Sequence, residues 1–279
     1  MNLDMSNVRG HARAKRALEV AAAGGHNVLL IGPVGCGKSM LAFRLPGILP
    51  PLDVETAEVV ARIRQLANMP ASTQDRPFRA PHHTVSVAGL AGEFRGWLPR
   101  PGEIGLAHGG VLFLDDLPEF TRACLGALIE PLERGVLTWW SRSGEAQMPA
   151  RFQLVATMTL CPCGYLGHPE RACTCSRESV TRYCDRVRSL APYFDIAVDL
   201  RDPGLEGSGE GSAVIRERVA RARVRLAGHS RSVEHTIAAM ASPSGEVLPA
   251  HIAEATALRR DLVNVGLINL DRQGRDVTL

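Results

Sequence analysis

The chain has 279 residues, 45% of them hydrophobic and 22% charged, and 32 Lys and Arg against 29 Asp and Glu leave a formal net charge of +3. This composition is that of a soluble globular protein, long enough for one large domain plus a smaller one. No apolar run approaches the ~18 residues of a membrane-spanning helix, and the start, Met1-Asn2-Leu3-Asp4, lacks the basic-then-apolar layout of a signal peptide, so a cytoplasmic protein with no membrane partner is expected. With a pI near 8.6 the whole-chain charge neither demands nor excludes a nucleic-acid partner, and any basic surface must be local.

Residues 8–24 have the spacing of an amphipathic helix, with Ala12, Ala14, Ala17, Leu18, Val20 and Ala21 set among Arg13, Lys15, Arg16 and Glu19, and Gly24-Gly25 as its stop. The apolar run Val28-Leu29-Leu30-Ile31 reads as a strand. It leads into Gly32-Pro33-Val34-Gly35-Cys36-Gly37-Lys38-Ser39, which fits G-x-x-x-x-G-K-[ST], and then into the helix-forming Met40-Leu41-Ala42-Phe43-Arg44. Strand before and helix after are the context in which this pattern binds phosphate. The glycines let backbone N–H groups close around phosphate oxygens, Lys38 reaches the β- and γ-phosphates, and the Ser39 hydroxyl can hold Mg²⁺. The start of the following helix adds its positive dipole end. Gly32, Gly35, Cys36, Gly37, Lys38, Ser39 and Met40 are therefore the candidate nucleotide contacts.

After a break from Leu45-Pro46 to Pro50-Pro51, residues 53–68 form a second helical pattern, and the stretch to about 103 reads as irregular. Within it, His82 and His83 are expected to hydrogen-bond locally rather than to bind a metal as a pair. Gly110-Val111-Leu112-Phe113-Leu114-Asp115-Asp116 has the form of a buried parallel strand that delivers acids at its C-terminal end. In the manner of a Walker B segment, Asp115 would hold the Mg²⁺ shell and Asp116 would polarise the attacking water. A helix carrying Leu125, Leu128, Ile129 and Leu132 follows. Residues 135–148 then read as a β-hairpin whose tip, Arg142 beside Trp139 and Trp140, is a candidate nucleic-acid contact. The strand Phe152–Met158 leads to Thr159. A basic helical stretch with Arg182, Arg186 and Arg188 precedes the strand Phe194–Leu200, and strands separated by helices imply a parallel α/β sheet.

Four of the seven cysteines, Cys161, Cys163, Cys173 and Cys175, form C-x-C-x9-C-x-C, whereas Cys36, Cys124 and Cys184 are scattered singles. In a cytosolic chain such a cluster points to metal rather than to disulfides, and four thiolates suit a closed tetrahedral structural Zn²⁺ site, with His168 as an alternative ligand. The ion would pin a loop that has too few apolar residues to pack by itself. Residues 201–212, rich in Gly and Ser, read as a flexible linker. The domain plan is therefore a core over 1–203, a linker over 204–212 and a helical lid over 213–279. The lid holds helices at 213–227, 232–241 and 249–262, the Arg-rich 216–225 face is expected to be solvated with pairing to Glu217, and the last dozen residues are expected to fray.

Taken in order over roughly residues 3–200, these segments resemble the magnesium-chelatase-like AAA+ ATPases, and most the ATPase module of the ComM/YifB competence-protein group. The resemblance is carried by Ala14 to Asn27, the Gly32–Ser39 loop, Leu45 to Pro51 and Pro77-Phe78-Arg79-Ala80-Pro81-His82-His83-Thr84. Arg100-Pro101-Gly102-Glu103-Ile104, Gly110 to Phe120, Pro149-Ala150-Arg151-Phe152 and Cys161-Pro162-Cys163-Gly164-Tyr165-Leu166-Gly167 complete it. It implies a P-loop AAA+ fold, a parallel sheet flanked by helices with a small, shortened helical lid. It also implies ATP and Mg²⁺ bound between subunits of a ring, usually a hexamer, and ATP-driven motion on a partner, with DNA branch migration in natural transformation as the group's role. The irregular residues 77–104 would be the clade's insertion in its second helix and 136–148 the hairpin before the sensor strand, both commonly facing the pore, and Thr159 would be the sensor of the γ-phosphate.

Several positions depart from that pattern. The amino-terminal Lon-protease-like domain that usually accompanies the module is expected to be missing, because the P-loop begins only about thirty residues in. Asp116 stands where the family has Glu, and Thr159 where it has Asn. Tyr193 occupies the arginine-finger position, whose charge is worth roughly 10³–10⁵ in rate, so Arg186 or Arg188 would have to take the role. No sensor-2 helix is recognisable around Ser230-Arg231-Ser232, where Arg231 is the candidate. Three functions compete: an ATP-hydrolysing ring motor acting on DNA, a nucleotide-gated binding or assembly module with weak or no hydrolysis, and a chelatase-type metal-insertion subunit.

Overall fold

The computed structural model describes residues 3–70, 76–95, 98–141, 144–202, 204, 209–227, 232–242 and 244–267. Arg142, Arg231, residues 205–208 of the expected linker and the final residues 268–279 lie outside the described residues. In chain order the elements are α1 (Ala12–Gly24), β1 (Val28–Ile31), α2 (Lys38–Ala42), α3 (Leu45–Ile48), α4 (Val54–Leu66), β2 (Phe78–Arg79) and α5 (Val87–Ala91). Then come β3 (Gly92–Arg95), β4 (Leu98–Pro101), α6 (Glu103–Leu106), β5 (Val111–Leu114), α7 (Arg122–Gly126), α8 (Ile129–Arg134), β6 (Val136–Ser141) and β7 (Gly144–Pro149). The last are β8 (Gln153–Met158), α9 (Arg177–Asp185), β9 (Ile196–Asp199), α10 (Ser212–Leu226), α11 (Val233–Ala241) and α12 (Pro249–Asn264).

Five strands form a central parallel sheet in the order β2-β5-β8-β1-β9, with helices flanking it, the α/β arrangement of a P-loop AAA+ fold. Every residue of β1, β5 and β8 is buried, as expected of strands covered on both faces. In register, Val28 of β1 pairs with Ile196 of β9, and Phe78 of β2 with Val111 of β5. Among the described residues no helix is long and apolar enough to cross a membrane.

The chain divides into two compact units, residues 1–50 with 156–279, and residues 51–155. In the first, α1 ends because Gly25 adopts the left-handed conformation (φ 76°) and its N–H turns back to the Ala21 carbonyl at 2.8 Å. The helices α10, α11 and α12 are held to α1 and β9 by polar ties as well as by apolar packing. His26 Nε2 and Thr236 Oγ1 are 2.8 Å apart and both residues are buried. Buried Asp261 accepts the Asp199 N–H at 2.8 Å and pairs with Arg13 at 2.9 Å. The Arg-rich face of α10 is not simply solvated: Arg218 pairs with Glu19 and Glu210, Arg223 donates to the Ala22 carbonyl and Arg216 to the Gly47 carbonyl. Glu217 lies exposed, because a residue adjacent in a helix does not face its neighbour.

In the second unit α4 is capped by Asp53, whose Oδ1 accepts the Thr56 N–H at 2.8 Å. The stretch expected to be irregular up to 103 instead holds β2, α5, α6 and the antiparallel β3–β4 hairpin, with Gly92 opposite Pro101. The break expected at Leu45-Pro46 is the turn α3, since proline is at home in the first turn of a helix. The single helix expected around Leu125 to Leu132 is split into α7 and α8: Pro131 has no N–H to continue the ladder. The hairpin β6–β7 forms as expected, with Val136 opposite Pro149.

Candidate functional site

The phosphate-binding pattern occupies the turn between β1 and α2. Gly35 (φ 81°) and Gly37 (φ 94°) both adopt the left-handed conformation, which explains glycine at those two places. A Cβ at Gly32 would stand 2.6 Å from Cys36 Sγ, so the loop closes on itself there too. Lys38 is 7% exposed, and its Nζ donates to the carbonyls of Gly32 and Pro33, each at 2.8 Å. The ammonium thus sits inside the ring of loop backbone, where a phosphate would meet it. Ser39 follows on α2. Cys36 and Met40 face the adjoining cleft, and burial pushes the Cys36 thiol pKa up.

That cleft, about 570 Å³, has four walls: the segment before α1, the phosphate loop, the loop after β8 and the end of β9. Its volume lies in the range of small-molecule sites, roughly 300–1,000 Å³. The first wall carries His11, a non-glycine residue at φ 53° whose Nδ1 is buried with no hydrogen-bond partner. Burial, and then the charge of Lys15, hold the imidazole pKa below its usual value. A neutral ring with an unpaired nitrogen at a cleft wall fits a ligand with hydrogen-bonding edges, such as a purine base. On the last wall Arg201 is fixed by Asp199, which accepts from its Nε at 2.7 Å and raises the guanidinium pKa. The donor set, a glycine cradle with one buried ammonium and an adjacent hydroxyl, fits a nucleoside triphosphate with Mg²⁺.

Asp115 and Asp116 follow β5 directly and are half-buried. Asp116 is left-handed (φ 53°, ψ 59°) and opens the short turn Leu117–Glu119, its backbone carbonyl accepting the Glu119 N–H at 2.8 Å. Aspartate tolerates that conformation better than glutamate does, a local reason for the shorter acid that sequence reasoning did not supply. Thr159 is 5% exposed, and its hydroxyl donates to the Cys161 carbonyl at 3.0 Å and lies 3.2 Å from Tyr183 Oη. Of the arginines considered for the finger role, Arg188 is paired with Asp185 at 2.7 Å. Tyr193 gives its carbonyl to Asn27 Nδ2 at 2.8 Å.

Cys161, Cys163, Cys173 and Cys175 come together with all four Sγ atoms within 4.8 Å of one another. The separations Cys161–Cys163 (3.4 Å), Cys163–Cys173 (3.6 Å) and Cys161–Cys173 (3.6 Å) are far longer than a disulfide bond. They are close to the edge of about 3.8 Å that Zn–S bonds of ~2.3 Å give a tetrahedron. Backbone N–H groups point at the sulfurs, Leu166 to Cys161 at 3.3 Å and Cys175 to Cys173 at 3.4 Å. The Tyr165 N–H lowers the Cys163 pKa to about 6, while the Cys161, Cys173 and Cys175 thiols beside it are pushed up, so one thiol of the cluster ionises first. His168 does not join the cluster: its Nδ1 accepts the N–H groups of Glu170 and Arg171, and its ring lines the cleft instead. The sequence also gave no sign that the Val34 N–H of the phosphate loop donates to the carbonyl of Gly164, in the cysteine loop, at 2.9 Å.

Elsewhere, His82 Nδ1 bonds to Thr84 Oγ1 at 2.9 Å, the local role expected of it. On β6, Trp140 is 75% exposed and Trp139 keeps a buried indole N–H without a partner.

Residues 4–206 match the family described as magnesium chelatase, subunit ChlI. Among individual proteins, the chain is 41% identical to the uncharacterized protein YifB of Salmonella typhimurium, over 95% of this chain and 53% of that protein. It is 45% identical to YifB of Escherichia coli over 80% of this chain and 45% of that protein. It is 43% identical to the competence protein ComM of Haemophilus influenzae over 79% of this chain and 45% of that protein. The chain therefore spans about half the length of the curated relatives it matches.

Proposed function

The chain belongs to the magnesium chelatase, subunit ChlI, family, and from that premise we propose that it is an ATP-driven AAA+ motor of the ComM type, working as a homo-oligomeric ring, a hexamer, on DNA in the cytoplasm. The observation that carries the reading is Lys38, whose buried ammonium is held in a glycine loop at the end of β1 beside a cleft of about 570 Å³. In this reading Lys38 and the loop N–H groups bind the phosphates, Ser39 and Asp115 hold Mg²⁺, and Asp116 orients the water that converts ATP to ADP and phosphate. Magnesium, when bound, neutralises phosphate charge. Thr159 serves as γ-phosphate sensor by exchanging its bond to the Cys161 carbonyl. The four cysteines hold a structural Zn²⁺. Exposed Trp140 on the β6–β7 hairpin supports a stacking contact with nucleic-acid bases.

A second reading, a nucleotide-gated assembly module that hydrolyses slowly, is favoured by the Thr159 hydroxyl being committed to Cys161 and Tyr183 and by the pairing of Arg188 with Asp185. Steady-state ATP turnover with Mg²⁺, with and without branched and single-stranded DNA, separates the two. DNA-stimulated turnover that Lys38→Ala abolishes supports the motor. Tight ATP binding without turnover in every condition sinks it and leaves the assembly module.

A further inference from the structure

The loop between Cys161 and Cys175 has almost no apolar anchor of its own. Of residues 162–176 only Gly164 is buried. Contacts inside the loop tie it to itself: Arg171 Nη1 donates to Tyr165 Oη at 2.8 Å and its guanidinium lies over that ring, while Tyr165 meets His168 edge-on. The four sulfurs are what gather its two ends.

Yet this loop builds part of the nucleotide cleft. Gly164 gives its carbonyl to the Val34 N–H of the phosphate loop. It packs so closely there, at φ 78°, that a Cβ would lie 2.3 Å from Val34 Cγ2. Four residues on, His168 and Pro169 form one wall of the cleft. At the loop's start the Cys161 carbonyl accepts a hydrogen bond from the hydroxyl of Thr159, the residue that follows the central strand β8.

We propose that a thiophilic divalent ion held by Cys161, Cys163, Cys173 and Cys175 acts as a clip on the phosphate loop, so that metal occupancy sets nucleotide affinity. The inference rests on the ATP-binding reading above and adds a regulator to the same site. With the ion bound, the Gly164 carbonyl and the His168-Pro169 wall are pre-formed. Without it the loop loses the cross-link between its two ends, and nucleotide binding must then order the loop as well. Linkage makes the effect reciprocal: nucleotide tightens metal binding by the same factor.

The test uses the full chain, loaded with Zn²⁺ and then stripped by a chelator under reducing conditions and returned to Mg²⁺ buffer. Substitution with Co²⁺ should give the visible bands of a tetrahedral thiolate site. A fluorescent ATP analogue is titrated against both forms. Removal of the ion is expected to weaken binding about tenfold, the scale of one backbone hydrogen bond, and Zn²⁺ should restore it. In the reverse direction, Mg²⁺-ATP should slow transfer of Zn²⁺ to a chromophoric chelator. Should the stripped chain unfold, this arm decides by itself. Gly164→Ala, which forces Val34 away, should keep the cobalt spectrum but weaken nucleotide binding and lose its dependence on metal. Equal affinity in folded metal-loaded and metal-free chain, no protection of Zn²⁺ by ATP, or no metal bound at all would overturn the clip while leaving ATP binding intact. No nucleotide binding by the zinc-loaded chain would overturn the ATP reading and the clip with it.

Discussion

Gly24 closes α1 directly over the buried pair formed by His26 and Thr236, and Gly24→Ala puts two physical effects in opposition. Helix propensity alone favours alanine over glycine by about 1 kcal/mol. Against this, a Cβ at position 24 would stand 2.1 Å from His26 Nε2 and 2.6 Å from Thr236 Oγ1. Neither side chain has room to retreat, since His26 is 4% and Thr236 0% exposed. Overpacking a core costs roughly 1–3 kcal/mol, and breaking the 2.8 Å contact between the pair leaves buried polar atoms unsatisfied at about 1–3 kcal/mol. Sterics therefore outweigh propensity, for a net loss of roughly 1–5 kcal/mol, or about 2–20 °C in Tm at 2–4 °C per kcal/mol. Gly126→Ala is the matched control, an exposed glycine at the end of α7 with nothing within 4 Å of its added Cβ. It should hold or raise stability by up to ~1 kcal/mol. Thermal melts followed by circular dichroism read both variants. A Gly24→Ala chain melting at or above wild type would refute the argument that α11 is keyed onto the end of α1 through His26 and Thr236.

Two further outcomes can be checked in the same way. Asp53→Ala removes the cap of α4 and should cost about 1 kcal/mol by denaturant titration, whereas Asp53→Asn should fall within a few tenths, because either side chain can accept the Thr56 N–H. His108 is buried and accepts the Arg151 N–H at its Nδ1 at 3.1 Å, and burial, then the Arg151 charge, depress its pKa. A histidine whose folded pKa lies below its unfolded value of about 6.5 contributes stability that is whole above that pH and is lost as pH falls toward the folded pKa. His108→Asn keeps an acceptor but cannot titrate, so its stability should fall less than wild type between about pH 7 and pH 5. Parallel pH profiles for the two chains would remove His108 from the acid response.

The parts of the fold that could be read from the sequence are those where one local signal decides. The runs Val28–Ile31, Val111–Leu114 and Gln153–Met158 are unbroken apolar or near-apolar stretches, and they became the fully buried strands β1, β5 and β8. Gly25 marked a helix end through its own chemistry. Misreadings came where the deciding contact is distant or the element very short. Phe78-Arg79 is a two-residue strand, legible only by its pairing with Val111 and Leu112. Likewise Leu98 and Pro101 of β4 lack the alternation of a strand until they meet β3. For the site, the loop Gly32–Ser39 was evident because its glycines, lysine and serine are consecutive. The hydrogen bond from Val34 to Gly164 and the turning of His168 into the cleft join residues far apart in sequence, and nothing local announces them. The arginines of α10 were misassigned for the same reason, since the acid that takes Arg218 from α1 is Glu19.

The most direct test of nucleotide binding at the glycine loop is titration of a fluorescent ATP analogue, with Mg²⁺, into the wild-type chain and into Lys38→Ala. Lys38 directs its ammonium into the loop from a buried position, and charge-assisted hydrogen bonds of that kind contribute about 1.5–3 kcal/mol, so the variant should bind roughly 10–100-fold more weakly. Saturable binding by wild type with that loss in Lys38→Ala is the expected result. Equal affinity in the two chains, each still folded, would contradict the account.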